Sequence, residues 1–144
     1  MNATEFIHRL DEDRIVAEIA KAEAATSGEI RIFVSSRTVG DPVAGAQRHF
    51  EALGMSRTKF RNGVLLYFAP LSRKFAIIGD QGVHEKCGPS FWQELAAEIR
   101  PILQSGLFSE AVIRGIQQTG RRLATHFPRD PGDSDELPNA IVGE

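Results

Sequence analysis

Between Arg61 and Lys86 the chain reads RNGVLLYFAPLSRKFAIIGDQGVHEK, with its chemistry-bearing residues gathered at the two ends of an apolar stretch. Arg61 and Asn62 precede it; Asp80, Gly82, His84 and Glu85 follow it. These residues can act together only if the chain folds back so that entry and exit meet. "KFAIIG" follows "GVLLYFA" after Pro70-Leu71-Ser72-Arg73. That link is too short for a parallel crossover, so the two strands pair antiparallel. Pairing Ala69 with Lys74 sets Gly63 opposite Asp80 and brings Arg61 and Asn62 beside it. A right-handed crossover from the preceding strand then carries Glu29 to the same end. Carboxylates, an amide oxygen and backbone carbonyls are the ligands that a hard cation such as Ca2+ or Mg2+ prefers. Asp80, Glu29 and Asn62 are therefore the expected metal ligands. Arg61, Gly82 and His84 stand where a bound ligand or anion would be met. Four of them also have a plainer role: Asp80 as a turn former, Glu29 as a solvated strand end, Arg61 as an ion-pair partner of either acid, and His84 as a structural residue.

These residues depend on the elements that carry them. Phe6, Ile7, Leu10, Val16, Ile19 and Ala20 recur on one face and predict a single amphipathic helix from Thr4 to about Ala25. "EIRIFVSS" alternates as a strand, and Asp41-Pro42 opens a helix to about Leu53 with a cap and a proline at its first position. "GVLLYFA" is continuously apolar, as a strand covered on both faces would be. After "KFAIIG" the reading is a short turn-rich stretch, a helix from about Ser90 to Gln104, and a last helix from Ser109, its expected N-cap, to about His126. Gly115 and Gly120 inside that helix cost about 1 kcal/mol each against alanine, which points to close packing. The predicted fold is a three-layer α/β/α sandwich on a small mixed sheet, spanning residues 1–128. Residues 129–144 form an acidic, proline-rich tail, mobile or docked through Leu137 and Ile141.

The composition excludes several classes of function. With 144 residues, of which 42% are hydrophobic, the chain suits one globular domain. Its 17 basic and 19 acidic residues are interspersed, giving a net charge of −2, so no general nucleic-acid surface is expected. The basic run RTKFR, residues 57–61, reads as a solvated loop that leaves room for a local anion site. Cys87 is the only cysteine, so no internal disulfide forms and a cytoplasmic location is expected. No apolar run approaches the roughly 18 residues of a membrane-spanning helix, and no signal-peptide core is seen, so membrane insertion is not expected. His8, His49, His84 and His126 lack metal-ligand spacing, and neither "GDQG" nor "RNG" matches a phosphate-cradling loop. No organic cofactor is expected. The other end of the sheet, with Ser35, Ser36, Arg37, Ser72 and Arg73, offers hydroxyls and positive charge suited to an anion, but no carboxylate.

The segments TSGEIRIFV, RNGVLLYFAP and RKFAIIGDQGVHEK, the Trp92 helix, GLFSEAVIRGI and a closing HFP together resemble the TPM domain family over about residues 5–128. The resemblance is to a stand-alone, soluble, bacterial-type member. It implies an α/β sandwich. It also implies a family in which a thylakoid-lumen member of photosystem II repair was proposed to be an acid phosphatase with a calcium site. Where many relatives carry Gly-aromatic-Gly, this chain has Gly79-Asp80-Gln81-Gly82. The expected function is a binding or accessory module for an unknown protein or small ligand, with a divalent cation near Asp80. The alternative is a weak metal-dependent phosphatase, in which Arg61 neutralises phosphate charge and the metal polarises water or the phosphoryl oxygen.

Overall fold

The computed structural model describes residues 1–129 and 141–143. Its elements are α1 (Ala3–His8), α2 (Glu12–Glu23), β1 (Glu29–Val34), α3 (Pro42–Ala52), β2 (Gly63–Ala69), β3 (Lys74–Gly79), α4 (Gln81–Cys87), α5 (Pro89–Gln104), α6 (Phe108–His126) and β4 (Ile141–Gly143). The sheet order is β3-β2-β1-β4, with β2 and β3 antiparallel and the other pairs parallel. Val64 faces Gly79 and Ala69 faces Lys74, the register expected from the four-residue link. Glu29 pairs with Gly63, which sets β1 and β2 parallel and in step.

Both sheet faces are covered, and unequally. Ile30, Ile32, Val34, Val64, Leu66 and Phe68 face a thick layer made by α1, α2, α4, α5 and α6. Phe33, Leu65, Tyr67 and Ala76 face a thin layer supplied by α3 and the turn at Met55. Strand pleating divides these sets, because alternate side chains leave opposite faces. Coverage on both sides explains why every residue of β1 and β2 is buried. Gly115 lets α6 lie on the sheet, since a Cβ there would sit 2.8 Å from Leu66. Gly120 does the same against α2, with Ala22 2.7 Å away.

Four details differ from the sequence expectation. The opening helix is two helices, because Asn2 and Asp11 each supply an N-cap: Asn2 accepts from the Glu5 amide and Asp11 from the Arg14 amide. Ser109 does not cap α6. Its hydroxyl instead accepts from the Asp11 amide at 2.9 Å, tying the α1–α2 junction to α6. The stretch after β3 is the helix α4, capped by Asp80. Finally, Ile141–Gly143 adds a parallel strand beside β1, with Ile32 opposite Ile141. The expected anchor Leu137 lies outside the described residues.

Candidate functional site

At the Asp80 end the hairpin does bring Arg61 to Asp80. Arg61 Nε lies 2.7 Å from Asp80 Oδ2, and its Nη2 lies 2.9 Å from Oδ1. This two-pronged contact holds the Arg61 guanidinium above its ordinary pKa. Oδ1 also accepts from the Gln81 amide at 2.8 Å, so the same carboxylate caps α4. The backbone closes the corner further, with Asp80 N–H donating to Gly63 and Gly82 N–H donating to the Arg61 carbonyl, both at 2.9 Å. Arg61 takes a left-handed conformation, φ 52°. A Cβ on Gly82 would run into the Phe60 carbonyl oxygen, so only glycine permits this approach.

The remaining expected ligands are distributed around this corner. Glu29 is buried, not a solvated strand end, and its amide donates to the Asn62 carbonyl. Asn62 is fully buried and its amide nitrogen donates to Ser27 Oγ at 3.1 Å. Asn62 Oδ1 has no hydrogen-bond partner among the described residues. His84 is exposed on α4. A cleft of ≈ 320 Å³ beside Asp80 is bounded by Gln47, Phe50, Glu51, Ile78 and Gly79.

This donor set does not fit a cation shell as it stands. Both Asp80 oxygens are already engaged by cationic or amide donors, and a metal would have to displace Arg61. Among the described residues, no group of three or more His, Cys, Asp or Glu side chains is arranged to hold a metal ion.

The opposite end of the sheet carries a larger recess. It is a groove of ≈ 810 Å³ beyond the carboxyl ends of the parallel strands β1 and β2. Phe108, Phe6, Phe68 and Phe75 line it as a continuous row of rings, with centroid steps of 5.0, 5.5 and 6.2 Å. A guanidinium stands at each end of the row: Arg9 lies 4.8 Å from the Phe108 centroid and Arg100 5.4 Å from that of Phe75. Arg73 and Lys74 complete the mouth, and among the described residues no acid lines it. Lys74 donates to the Gly40 carbonyl at 2.7 Å. Among the described residues none of Arg9, Arg73, Lys74 and Arg100 has an ion-pair partner. The serines expected at this end serve its loops: Ser72 Oγ accepts from the Val39 amide and Ser35 Oγ from the Arg37 amide.

Sequence reasoning missed the groove because each phenylalanine looks like core when taken alone. It also missed Glu23, a buried carboxylate that accepts from the Ile30 amide at 2.8 Å. The available signal was an acid on the apolar stripe Ile15, Ile19, Glu23. Arg31 was missed as well. It is buried in β1, and burial pushes its guanidinium below the usual range. Cys87 is half-buried, and burial raises its thiol pKa, contrary to what a nucleophile needs.

Comparison with known proteins agrees with the architecture. The NMR structure of BA42 protein from the psychrophilic bacterium Bizionia argentinensis is similar to this chain, with 37% identity, a TM-score of 0.85 and 92% of each chain covered. No curated protein matches it. The family model described as the TPM domain matches residues 1–122, nearly all of the α/β sandwich, and the chain belongs to the TPM domain family.

Proposed function

We propose that this chain is a binding module that takes an anionic ligand in the groove beyond β1 and β2. The observation that carries the reading is the aromatic row flanked by Arg9 and Arg100, with Arg73 and Lys74 at the mouth and no acid among the described lining residues. Open α/β sheets commonly bind ligands outside the carboxyl ends of their parallel strands, and this groove lies there. Its size and apolar lining also match small-molecule sites, which occupy roughly 300–1,000 Å³. The test is a backbone amide NMR titration with benzoate and phenyl phosphate. Saturable shifts at Lys74, Phe75, Arg100 and Phe108 are expected. Shifts confined to the Asp80 end, or none, would overturn the reading.

A second reading keeps a divalent cation at Asp80, Glu29 and Asn62, with Arg61, Gly82 and His84 around it. It is favoured by the buried Asn62 Oδ1, an acceptor left without a donor among the described residues. Since Arg61 already holds Asp80, a cation competes with it, and Arg61→Ala should tighten Ca2+ or Mg2+ binding. Unchanged binding in that variant would place the cation away from Asp80, and absent binding removes it. Phosphatase activity is a proposal of the same site, in which Arg61 leaves Asp80 to meet phosphate charge. Failure to cleave aryl phosphate with several divalent metals from acid to alkaline pH would end it. A cytoplasmic location is also proposed, supported by the single half-buried thiol.

A further inference from the structure

The exposed large apolar side chains are concentrated around the same groove. Among the described residues they are Met1, Val43, Phe60, Leu71 and Leu107. Met1 lines the groove, and Val43, Leu71 and Leu107 each adjoin a lining residue in sequence, namely Pro42, Pro70 and Phe108. Phe60 alone belongs to the Asp80 end. Within the groove itself the apolar lining passes from the buried rings Phe6 and Phe68 to half-buried Phe75 and Phe108 and to exposed Met1. The charges are not spread evenly along this path. Arg73, Lys74 and Arg100 gather at the Phe75 end, whereas the Phe108 end has Arg9.

That asymmetry selects a ligand with a charged head and an apolar body. A compact anion such as inorganic phosphate would meet the cations and leave the ring row unused. A neutral hydrocarbon would cover the rings and leave the three cations at the Phe75 end without a counter-charge. Resting on the reading of the groove as an anion site, we infer that it takes a single-chain anionic amphiphile. The carboxylate or phosphate head sits among Arg73, Lys74 and Arg100, and the alkyl body lies along Phe75, Phe68, Phe6 and Phe108. The occupant is a free molecule, not a bilayer surface, because the rings line a recess of ≈ 810 Å³, with Phe6 and Phe68 as its floor, and a single chain can enter it where a flat surface cannot.

The experiment uses the full chain and a series of free amphiphiles below their micelle concentrations: hexanoate, octanoate, decanoate, octyl phosphate, octanol and octylammonium. Binding is read by calorimetry and amide NMR. Each added methylene that reaches the rings should tighten binding about three- to fourfold, and shifts should spread from Phe75 toward Phe108 as the chain lengthens. Octyl phosphate should bind comparably to octanoate, and octylammonium should not bind. The variant with Lys74→Gln and Arg100→Gln, both exposed positions, should weaken octanoate at least tenfold and octanol far less. Benzoate binding in the groove with no dependence on chain length overturns the amphiphile and leaves the anion site standing. No groove shifts with any anion overturns both. Sedimentation with anionic phosphatidylglycerol vesicles without decanoate binding overturns the free ligand in favour of membrane docking.

Discussion

At the Asp80 end of the sheet, the guanidinium, the carboxylate and the backbone are turned on one another; at the groove end, four cations stand over or beside aromatic rings with no acid among the described lining residues. The first end has the greater variety of polar side chains in sequence. In the fold that variety closes a corner: Arg61 clamps Asp80, Asp80 caps α4, and Gly82 admits the Phe60–Arg61 backbone. The second end joins ordinary core phenylalanines to surface arginines from separate elements. Polar variety and openness to a ligand are thus different properties, and in this molecule they lie at opposite ends of the same strands. The prediction is that damage at the first end registers as lost stability, while charge changes at the second register as lost binding.

The largest effect should come where groove and core coincide. Phe68 is 2% exposed, belongs to the main core and supplies the middle of the ring row. Phe68→Ala should destabilise by about 3–5 kcal/mol in chemical denaturation. Phe68→Leu should retain most of the stability while lowering groove affinity, which would separate the two roles. At the other end, Gly82→Ala drives a methyl into the Phe60 and Arg61 carbonyls. Because backbone is the obstacle, relief requires the loop to move, and a loss of about 1–3 kcal/mol is expected. Its amide shifts should centre on residues 60–63 and 80–84 and spare the groove. A Gly82→Ala protein with native stability would show that the corner is looser than its contacts imply.

The hairpin and the corner it makes were legible in the sequence because a four-residue link leaves one sensible register. Continuous apolarity in "GVLLYFA" likewise revealed a strand covered on both faces. Other features could not be read locally. α4 contains a glycine and has a single buried residue, Val83, so it shows no stripe, and its cap had the look of a ligand. Three residues of β4 carry too little pattern to announce a strand; β1 supplies the template that orders them. Ser109 had the right type for an N-cap, but Asp11 reaches its hydroxyl from 98 positions away. The groove was hidden for the same reason, since its rings come from α1, β2, β3 and α6. What the sequence displays well is pairing between neighbours in the chain; the groove exists only after helices from both halves pack on the sheet.

The smallest effects on stability give the sharpest test of the contrast. Asp80→Ala removes a helix cap, and that loss alone should cost about 1 kcal/mol. Lys74→Gln with Arg100→Gln removes two exposed charges that have no ion-pair partner among the described residues. Lys74 gives up one hydrogen bond to the Gly40 carbonyl, and Arg100 a contact over the Phe75 ring. Surface substitutions of this kind usually stay within about 0.5 kcal/mol. Denaturation midpoints should therefore order wild type and the groove variant together, with Asp80→Ala below them. Anion titrations should order the proteins differently, with Asp80→Ala beside wild type and the groove variant alone weakened. If instead the groove variant unfolds early, its cations are holding the hairpin link in place. If Asp80→Ala loses anion binding while its groove amides stay unshifted, the ligand belongs to the Asp80 corner, and the assignment of the two ends is reversed.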